Sequence, residues 1–474
     1  MARFIGRDHE LRKLHEILDE VRQTGSGRLL AIRGRRRVGK SRLVEEWLQR
    51  EGLPHVFYEA ARQPASDELA SFATEIAESN VQAASLVRSG LTFQSWDAAL
   101  RVIASQATSE APAVVVIDEF PYLFEGDPHV DAAIQRAWDR EIDHRAPVLL
   151  VLIGSDITMM ERLTEYGRPL YGRAREMVVR PLSPAETAEM LGRPADEALD
   201  AYTVLGGYPA LVESWRGGDT LWAFLERDLE PTSPLLVNAE RMLSSEFPSE
   251  LSARRVLEAI GSGEPSYSTI ADLAAVPQTT LNRALEVLTV QKRVVSVMQP
   301  LSTRPPSRLR RYLVADPYLR FWLRFLGPSL PEIERGRTDL VLDRIRSGWT
   351  TYQGTAIEPV VREAVTRILP DERFGDARFC GAYWTRTGEV EVDLVGADEE
   401  PVAKRIAFVG SIKWRERQPF DRRDLADLAA QRSRVPGAMA DARLVAVTRA
   451  GATANGLDVT LGPEDLLAAY RRRT

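Results

Sequence analysis

The feature that most constrains this chain is a glycine-bounded loop between an apolar segment and a helical one. Residues Gly34 to Ser41 read GRRRVGKS and fit the pattern G-x-x-x-x-G-K-[ST]. Residues 28–33 before it predict a short buried strand, and residues 41–48 after it predict a helix. The backbone N–H groups of such a loop and the N-terminus of the helix form an anion site. The segment therefore predicts an α/β fold that binds phosphate.

The residue types in this loop indicate a nucleoside triphosphate. Lys40 would reach the β- and γ-phosphates, and the Ser41 hydroxyl would bind Mg²⁺. A nucleoside triphosphate with Mg²⁺ is thus the predicted ligand. The expected nucleotide contacts are Gly34, Val38, Gly39, Lys40, Ser41 and Arg42.

A second apolar run, residues 113–117, ends in Asp118 and Glu119. Open α/β sheets bind ligands at the carboxyl ends of their strands, so these carboxylates are predicted to face the phosphates. Asp118 would hold Mg²⁺ through water, and Glu119 would orient and polarise the attacking water. The alternative is a buried strand that simply ends in acidic residues.

A third apolar run, residues 147–153, is followed by Gly154 and Ser155. Ser155 would lie between the other two motifs and contact the γ-phosphate or the attacking water. An ordinary turn serine is the alternative.

Composition excludes several other classes. The length of 474 residues predicts about three domains. Cys380 is the single cysteine, which excludes an intramolecular disulfide, and five scattered histidines give no zinc-ligand spacing. Apolar runs are too short to span a bilayer and no N-terminal signal is evident, so we expect a soluble, cytoplasmic protein without a membrane partner.

The net charge of −6 conceals a basic segment. Residues 251–330 contain 11 Lys and Arg against five Asp and Glu, whereas the rest of the chain carries −12. Three short helices and a hairpin are predicted in this segment, which is typical of a winged helix-turn-helix. It is expected to contact duplex DNA with weak sequence preference, and docking of a protein partner is the alternative. The candidate DNA contacts are Arg283, Arg304, Arg308, Arg310 and Arg311.

Several motifs together resemble the archaeal-type ATPase family of prokaryotes, within the AAA+ class. They are Phe4–Arg7, the phosphate loop, Asp118-Glu119, residues 169–173, residues 181–183 and residues 206–209. The resemblance implies that Arg173 contacts the γ-phosphate, from its own chain or from a neighbour in a homo-oligomer. It also implies that Arg7 lies near adenine and ribose, and that Pro209 couples the nucleotide to a helical lid. The preference for ATP over GTP rests on this resemblance.

The same family often ends in a domain like that of restriction endonucleases. Such nucleases place a helix glutamate, a strand aspartate and an E-x-K strand around Mg²⁺; Glu358, Asp393 and Lys413 match three of these positions. Ser411 stands where the E-x-K glutamate belongs, and Glu391, on the same strand face as Asp393, is the candidate for a partial substitute. A hydroxyl in place of a carboxylate predicts a degenerate site without nuclease activity.

The sequence therefore predicts an α/β fold of four parts. Residues 1–182 would form a P-loop AAA+-type parallel sheet and residues 183–245 a helical lid. Residues 246–330 would form the winged helix-turn-helix, and residues 331–474 an α/β domain like that of restriction endonucleases. The predicted function is an ATP-hydrolysing molecular switch that acts on DNA or a partner. The alternatives are a signal-transducing NTPase that binds proteins and an ATP-controlled DNA nuclease.

Overall fold

The computed structural model describes residues 4–247, 250–263, 266–305 and 309–471. The chain divides into two compact units, Met1–Pro181 and Leu182–Thr474. In the described residues, no helix combines the length and the apolar composition that crossing a bilayer requires.

The first unit is built on a sheet of five strands, all parallel, in the order β2-β3-β4-β1-β5. The strands are β1 (Arg28–Arg33), β2 (His55–Glu59), β3 (Ala113–Asp118), β4 (Val148–Gly154) and β5 (Ala174–Val178). Every residue of β3 and β4 is buried, because helices cover both faces of the sheet. The predicted α/β class with a P-loop-type parallel sheet is confirmed.

Helices separate these strands, as parallel pairing requires. The α-helices of the first unit are Asp8–Thr24, Lys40–Glu51, Ala65–Glu78, Ala84–Arg88, Trp96–Gln106, Leu123–Gly126, Val130–Ala137 and Ile157–Leu163. A 3₁₀ turn, Phe120–Tyr122, and a π-helix, Trp138–Ile142, complete it.

The second unit begins with five α-helices: Pro184–Leu191, Ala195–Leu205, Pro209–Glu213, Leu221–Asp228 and Pro234–Glu246. Two glycines, Gly206 and Gly207, separate the second helix from the third. A side chain on Gly207 would place Cβ 2.1 Å from the Leu182 carbonyl oxygen, and its φ of +72° is left-handed. The chain therefore leaves the helix at Gly206 and starts the next helix at Pro209.

Three helices and a hairpin follow, as the periodicity predicts. The helices are Leu251–Gly261, Tyr267–Ala274 and Gln278–Glu286, the last continued by a π-helix, Val287–Gln291. Strands β6 (Val295–Met298) and β7 (Arg311–Val314) pair antiparallel. We call residues 251–314 the helix–hairpin segment.

A second five-stranded sheet lies near the C-terminus, in the order β12-β11-β10-β9-β8. Its strands are β8 (Phe379–Trp384), β9 (Glu391–Ala397), β10 (Ile406–Lys413), β11 (Ala438–Thr448) and β12 (Val459–Leu461). The remaining α-helices are Pro317–Phe321, Leu330–Glu334, Thr338–Ala356, Glu358–Ile368, Arg422–Arg432 and Pro463–Arg471. The π-helix Trp322–Leu326 and the 3₁₀ turns Gly327–Ser329 and Glu372–Phe374 complete the unit. The sequence predicts one helix over 351–369, but Pro359 lies in the first turn of a separate second helix.

The helix Ala195–Leu205, predicted to belong to a lid, shares its core with the C-terminal sheet. A polar contact reinforces this packing, because the buried Asp200 accepts a hydrogen bond from Trp414 Nε1 at 2.8 Å and pairs with Arg449 at 2.9 Å. Burial raises the pKa of Asp200 to about 6, so this carboxyl is ionised at neutral pH and balances Arg449.

Asp200→Ala is expected to lower the free energy of unfolding of the second unit by about 3–5 kcal/mol, because it leaves the Arg449 guanidinium buried without its nearest carboxylate. Asp196→Ala is the matched control. Asp196 is 38% exposed and also contacts Arg449, so its loss should cost less than about 1 kcal/mol. Urea unfolding monitored by circular dichroism measures both, and equal effects would contradict the prediction.

Candidate active site

The phosphate loop is held against the sheet by a close backbone approach. A Cβ on Gly34 would lie 2.1 Å from the Val179 carbonyl oxygen, so only glycine fits where the loop leaves β1. At the other end Gly39 has a φ of 86°, and the helix starts at Lys40. Both glycines of the motif are thus required by backbone geometry.

Lys40 is buried at the centre of the loop, with 5% of its surface exposed. Its Nζ donates to the carbonyl oxygens of Gly34 (2.9 Å) and Arg35 (3.1 Å) and to Ser155 Oγ (2.9 Å). Burial lowers the pKa of Lys40 to about 8, although Glu119 and Asp118 act in the opposite direction. An anion bound here would offset the energetic cost of burying the Lys40 ammonium group.

Ser155 connects the two predicted motifs. Its hydroxyl accepts from Lys40 Nζ and donates to Glu119 Oε1 at 2.9 Å. Asp118 ends β3 with 5% exposure, and its Oδ1 accepts from the backbone N–H of Glu119 at 2.8 Å. Glu119 has a left-handed φ of 47°, which turns its side chain away from the strand direction. The structure therefore brings together four of the predicted residues, which come from the phosphate loop and from the ends of two strands: Lys40, Asp118, Glu119 and Ser155.

Arginines surround the loop. Arg7, 5% exposed, donates from Nη2 to the Val38 carbonyl oxygen at 2.8 Å and so contacts the loop directly. Arg36 hydrogen-bonds to the hydroxyl of Tyr122, which follows Glu119 by one turn, and it lowers the pKa of Lys40. The sequence analysis did not identify Arg36 or Tyr122 as site residues. The position of Arg36 inside the phosphate loop could have indicated that it lies near the nucleotide.

Three other predicted residues lie in different surroundings. Arg42 is exposed and pairs with Glu46 at 3.2 Å on the surface of its own helix. Arg173 forms a bidentate pair with Asp139, at 2.7 and 2.9 Å. A contact between Arg173 and a γ-phosphate would require this pair to separate. Pro209 belongs to the second unit, where it starts the helix Pro209–Glu213.

The donor set fits Mg²⁺. Ser41 supplies a hydroxyl, and Asp118 supplies a carboxylate with one oxygen, Oδ2, not used by the hydrogen bond to Glu119. Mg²⁺ prefers such hard oxygen ligands and keeps several waters, with phosphate oxygens completing its shell.

The predicted nuclease residues do not form a metal site. Glu358 Oε2 pairs with Arg362 Nη1 at 3.1 Å, and the same Arg362 nitrogen donates to the Asp393 carbonyl oxygen at 3.1 Å. The Asp393 carboxylate accepts from Ser411 Oγ (3.1 Å) and from Ile412 N–H (2.8 Å). In the described residues, no group of three or more His, Cys, Asp or Glu could hold a metal.

Glu358 and Asp393 lie in buried surroundings, and burial raises the pKa of both carboxyls. Lys413 ends β10 close enough to lower the pKa of Asp393, as an E-x-K lysine would be placed. Glu391, expected to substitute for the absent glutamate, instead pairs with Arg311.

The arginines of the helix–hairpin segment fall into two groups. Arg283, Arg304 and Arg310 are exposed. Arg311 is 28% exposed, pairs with Glu391 at 2.5 Å, and has its guanidinium 4.6 Å from the centroid of the Trp384 ring. A contact of Arg311 with DNA would have to compete with these interactions with the C-terminal sheet. Arg308 lies outside the described residues.

The fold and this arrangement define a P-loop nucleotide-binding protein. Residues 4–214 match the family described as an ATPase domain predominantly from Archaea, and residues 322–425 match archaeal and bacterial proteins of unknown function. The match over residues 4–214 agrees with the resemblance to archaeal-type ATPases that the motifs predict for this part of the chain.

Three known proteins illustrate the similarity in sequence and in structure. The uncharacterized protein MJECL04 of Methanocaldococcus jannaschii is 24% identical over 88% of this chain and 89% of its own length. The Walker-type ATPase of Pyrococcus abyssi is 24% identical, with a TM-score of 0.47 over 68% of this chain and 96% of its own. The ORC2 protein of Aeropyrum pernix is 14% identical, with a TM-score of 0.45 over 72% and 95%.

Gly34→Ala is expected to weaken ATP binding by about tenfold or more, because the new Cβ must push the loop away from Val179. Gly217→Ala is the control, since a Cβ there meets no atom within 4 Å. Titration of both variants with ATP in a calorimeter would test this. An unchanged ATP affinity in Gly34→Ala would show that the loop adjusts without loss.

Proposed function

We propose that this protein binds ATP with Mg²⁺, hydrolyses it, and uses the nucleotide state to control binding of duplex DNA through the helix–hairpin segment. The observation that carries the proposal is the hydrogen-bonded chain from Lys40 through Ser155 to Glu119. These hydrogen bonds support a role for Lys40 in binding phosphate and for Glu119 in orienting the attacking water.

Each residue then has a distinct role in hydrolysis. The Lys40 ammonium neutralises charge on the β- and γ-phosphates, and the loop N–H groups orient them. Ser41 and Asp118 hold Mg²⁺, which would neutralise charge on the phosphate oxygens. Glu119 orients the attacking water and accepts its proton. Ser155, bonded to both Lys40 and Glu119, aligns the carboxylate with the γ-phosphate.

The test is a pair of substitutions. Lys40→Ala should abolish ATP binding, because it removes the charge that faces the phosphates. Glu119→Gln should bind ATP normally but hydrolyse it about 100-fold more slowly or worse, the usual cost of losing a general base. Glu125→Gln, at an exposed carboxylate six residues further along, should leave both properties unchanged. ATP hydrolysis by Glu119→Gln at the wild-type rate would reject the assignment.

DNA binding is proposed from charge and exposure. The basic segment projects exposed Arg283 from its third helix, and exposed Arg304 and Arg310 from the hairpin connection. Guanidinium groups on this helix and on the hairpin connection can contact phosphates on a duplex. Contacts of this kind give little sequence preference.

Replacing Arg283, Arg304 and Arg310 together with Ala should weaken duplex binding and flatten its salt dependence, by roughly one unit of logarithmic slope per lost phosphate contact. Arg50, Arg101 and Arg136, each about half exposed in the first unit, form the matched triple control. Fluorescence anisotropy across a salt series measures the slope. An unchanged slope in the first triple variant would remove the segment from the interface.

A protein partner is the second candidate, and a specific observation favours it. Leu273 and Val290 on the helix–hairpin segment are 55% and 63% exposed, which is unusual for large apolar side chains. If the protein fails to bind duplex DNA even at low salt, these apolar residues become the proposed contact.

We also propose that the C-terminal domain does not cleave nucleic acid, since its carboxylates are bonded to Arg362, Ser411 and Arg311.

A further inference from the structure

A cavity of about 370 Å³ lies within the second unit, between the helix–hairpin segment and the C-terminal sheet. Its walls come from the end of the helix Leu251–Gly261, from β7, and from the facing ends of β8 and β9. The volume falls in the range of sites for small organic ligands, roughly 300–1,000 Å³. Nothing in the nucleotide-binding site contributes to it.

Four arginines and three carboxylates line this cavity, and their pairing is unequal. Arg311 is balanced by Glu391, and Arg362 by Glu358. The third carboxylate, Asp393, is bonded to Ser411 and Ile412 rather than to an arginine. Two guanidinium groups therefore remain without a carboxylate partner. They belong to Arg320 and Arg324, neither of which forms an ion pair within the described part of the chain.

Arg320 is positioned by the backbone alone. Its Nε and Nη2 donate to the Val314 carbonyl oxygen at 3.1 and 2.6 Å, and Nη1 donates to that of Ala356 at 3.4 Å. A guanidinium has five N–H donors, so these bonds fix its plane and leave one donor on each terminal nitrogen. Burial lowers the pKa of Arg320, although the nearby Glu358 and Asp316 act in the opposite direction.

Arg324 stands on the same helical run, four residues further along, and lies nearer to solvent. Its Nη1 donates to the Ser262 carbonyl oxygen in the turn after the helix Leu251–Gly261. Each of the two guanidinium groups is thus anchored by carbonyl oxygens and lines one cavity. Paired guanidinium forks suit the oxygens of a phosphate or carboxylate.

The remaining walls are apolar and aromatic. Tyr352, Tyr383 and Trp384 line the cavity, and all three are buried. The Tyr352 hydroxyl is already used, since it donates to the Thr203 carbonyl oxygen at 2.8 Å. What these residues offer a ligand is therefore mainly the carbon surface of their rings, which suits a planar group.

We propose that this cavity binds a small organic phosphate of mononucleotide size, with its phosphate on Arg320 and Arg324 and its planar ring against the aromatic wall. The site is separate from the phosphate loop and does not depend on ATP hydrolysis. Because its walls come from both the helix–hairpin segment and the C-terminal sheet, the ligand would hold these two parts together and stabilise the unit.

The experiment uses full-length Lys40→Ala protein, in which the phosphate loop no longer contributes, with adenosine 5′-monophosphate and inorganic phosphate as probes. Calorimetric titration should show binding of the monophosphate. Adenosine, which lacks the phosphate, should bind at least about tenfold more weakly, since it loses charge-assisted hydrogen bonds. Arg324→Ala and Arg320→Gln should each reduce affinity for the monophosphate by about tenfold or more.

Two controls keep the result interpretable. Arg335→Ala removes an equal charge from an exposed position outside the cavity and should change nothing. Arg324 is exposed, so Arg324→Ala tests the site even if Arg320→Gln fails to fold. The proposal is overturned if neither probe binds at concentrations up to about 10 mM, where millimolar affinity is still measurable. Binding unaffected by both substitutions overturns it too.

A duplex-DNA arm separates the two sources of phosphate. If Arg324→Ala weakens duplex binding while the monophosphate does not bind, these arginines serve a nucleic-acid backbone and the small-ligand site is rejected. Monophosphate binding that is lost in Arg324→Ala, together with unchanged duplex binding, supports it. Failure of the DNA proposal alone would leave the monophosphate result intact.

Discussion

The buried ammonium group of Lys40 is the interaction on which the arrangement of the first unit depends. Removing such an ion from water costs several kcal/mol unless oxygen acceptors replace its hydration shell. Here two loop carbonyls and the Ser155 hydroxyl do so, and the carboxylates of β3 add favourable charge. The same contacts fix the loop, the end of β4 and Glu119 in relation to one another.

Much of this site could be predicted from sequence because the signals are local. Runs such as 113–117 are long enough to be buried strands, and their carboxyl ends share one edge of a parallel sheet. Asp118, Glu119 and Ser155 were therefore expected near Lys40. Two other contacts could not be predicted: the hydrogen bond from Arg7 to the Val38 carbonyl oxygen and the one between Arg36 and Tyr122. They depend on loop and side-chain conformations, which the spacing of apolar residues in the sequence does not determine.

The second unit was less predictable because its decisive contacts are long-range. Asp200 and Trp414 are 214 residues apart in sequence, and neither local pattern indicates the other. Strand β8 was missed, since Gly381 and Cys380 give it little of the alternation that marks a half-buried strand. Arg311 was assigned to DNA from charge alone, whereas an aromatic ring and a carboxylate on other strands hold it.

The core shared by the helix Ala195–Leu205 and the C-terminal sheet limits how this protein can be shortened or recombined. A chain that stops before residue 331 would leave Ala198 and Leu199 facing water, and Thr203 without the hydroxyl of Tyr352. Such a fragment would expose an apolar surface to solvent and would tend to aggregate. The natural place to divide the polypeptide is therefore between Pro181 and Leu182. The first unit can therefore be separated from the rest of the chain, whereas the helices that follow it share a core with the C-terminal sheet and must be kept with it.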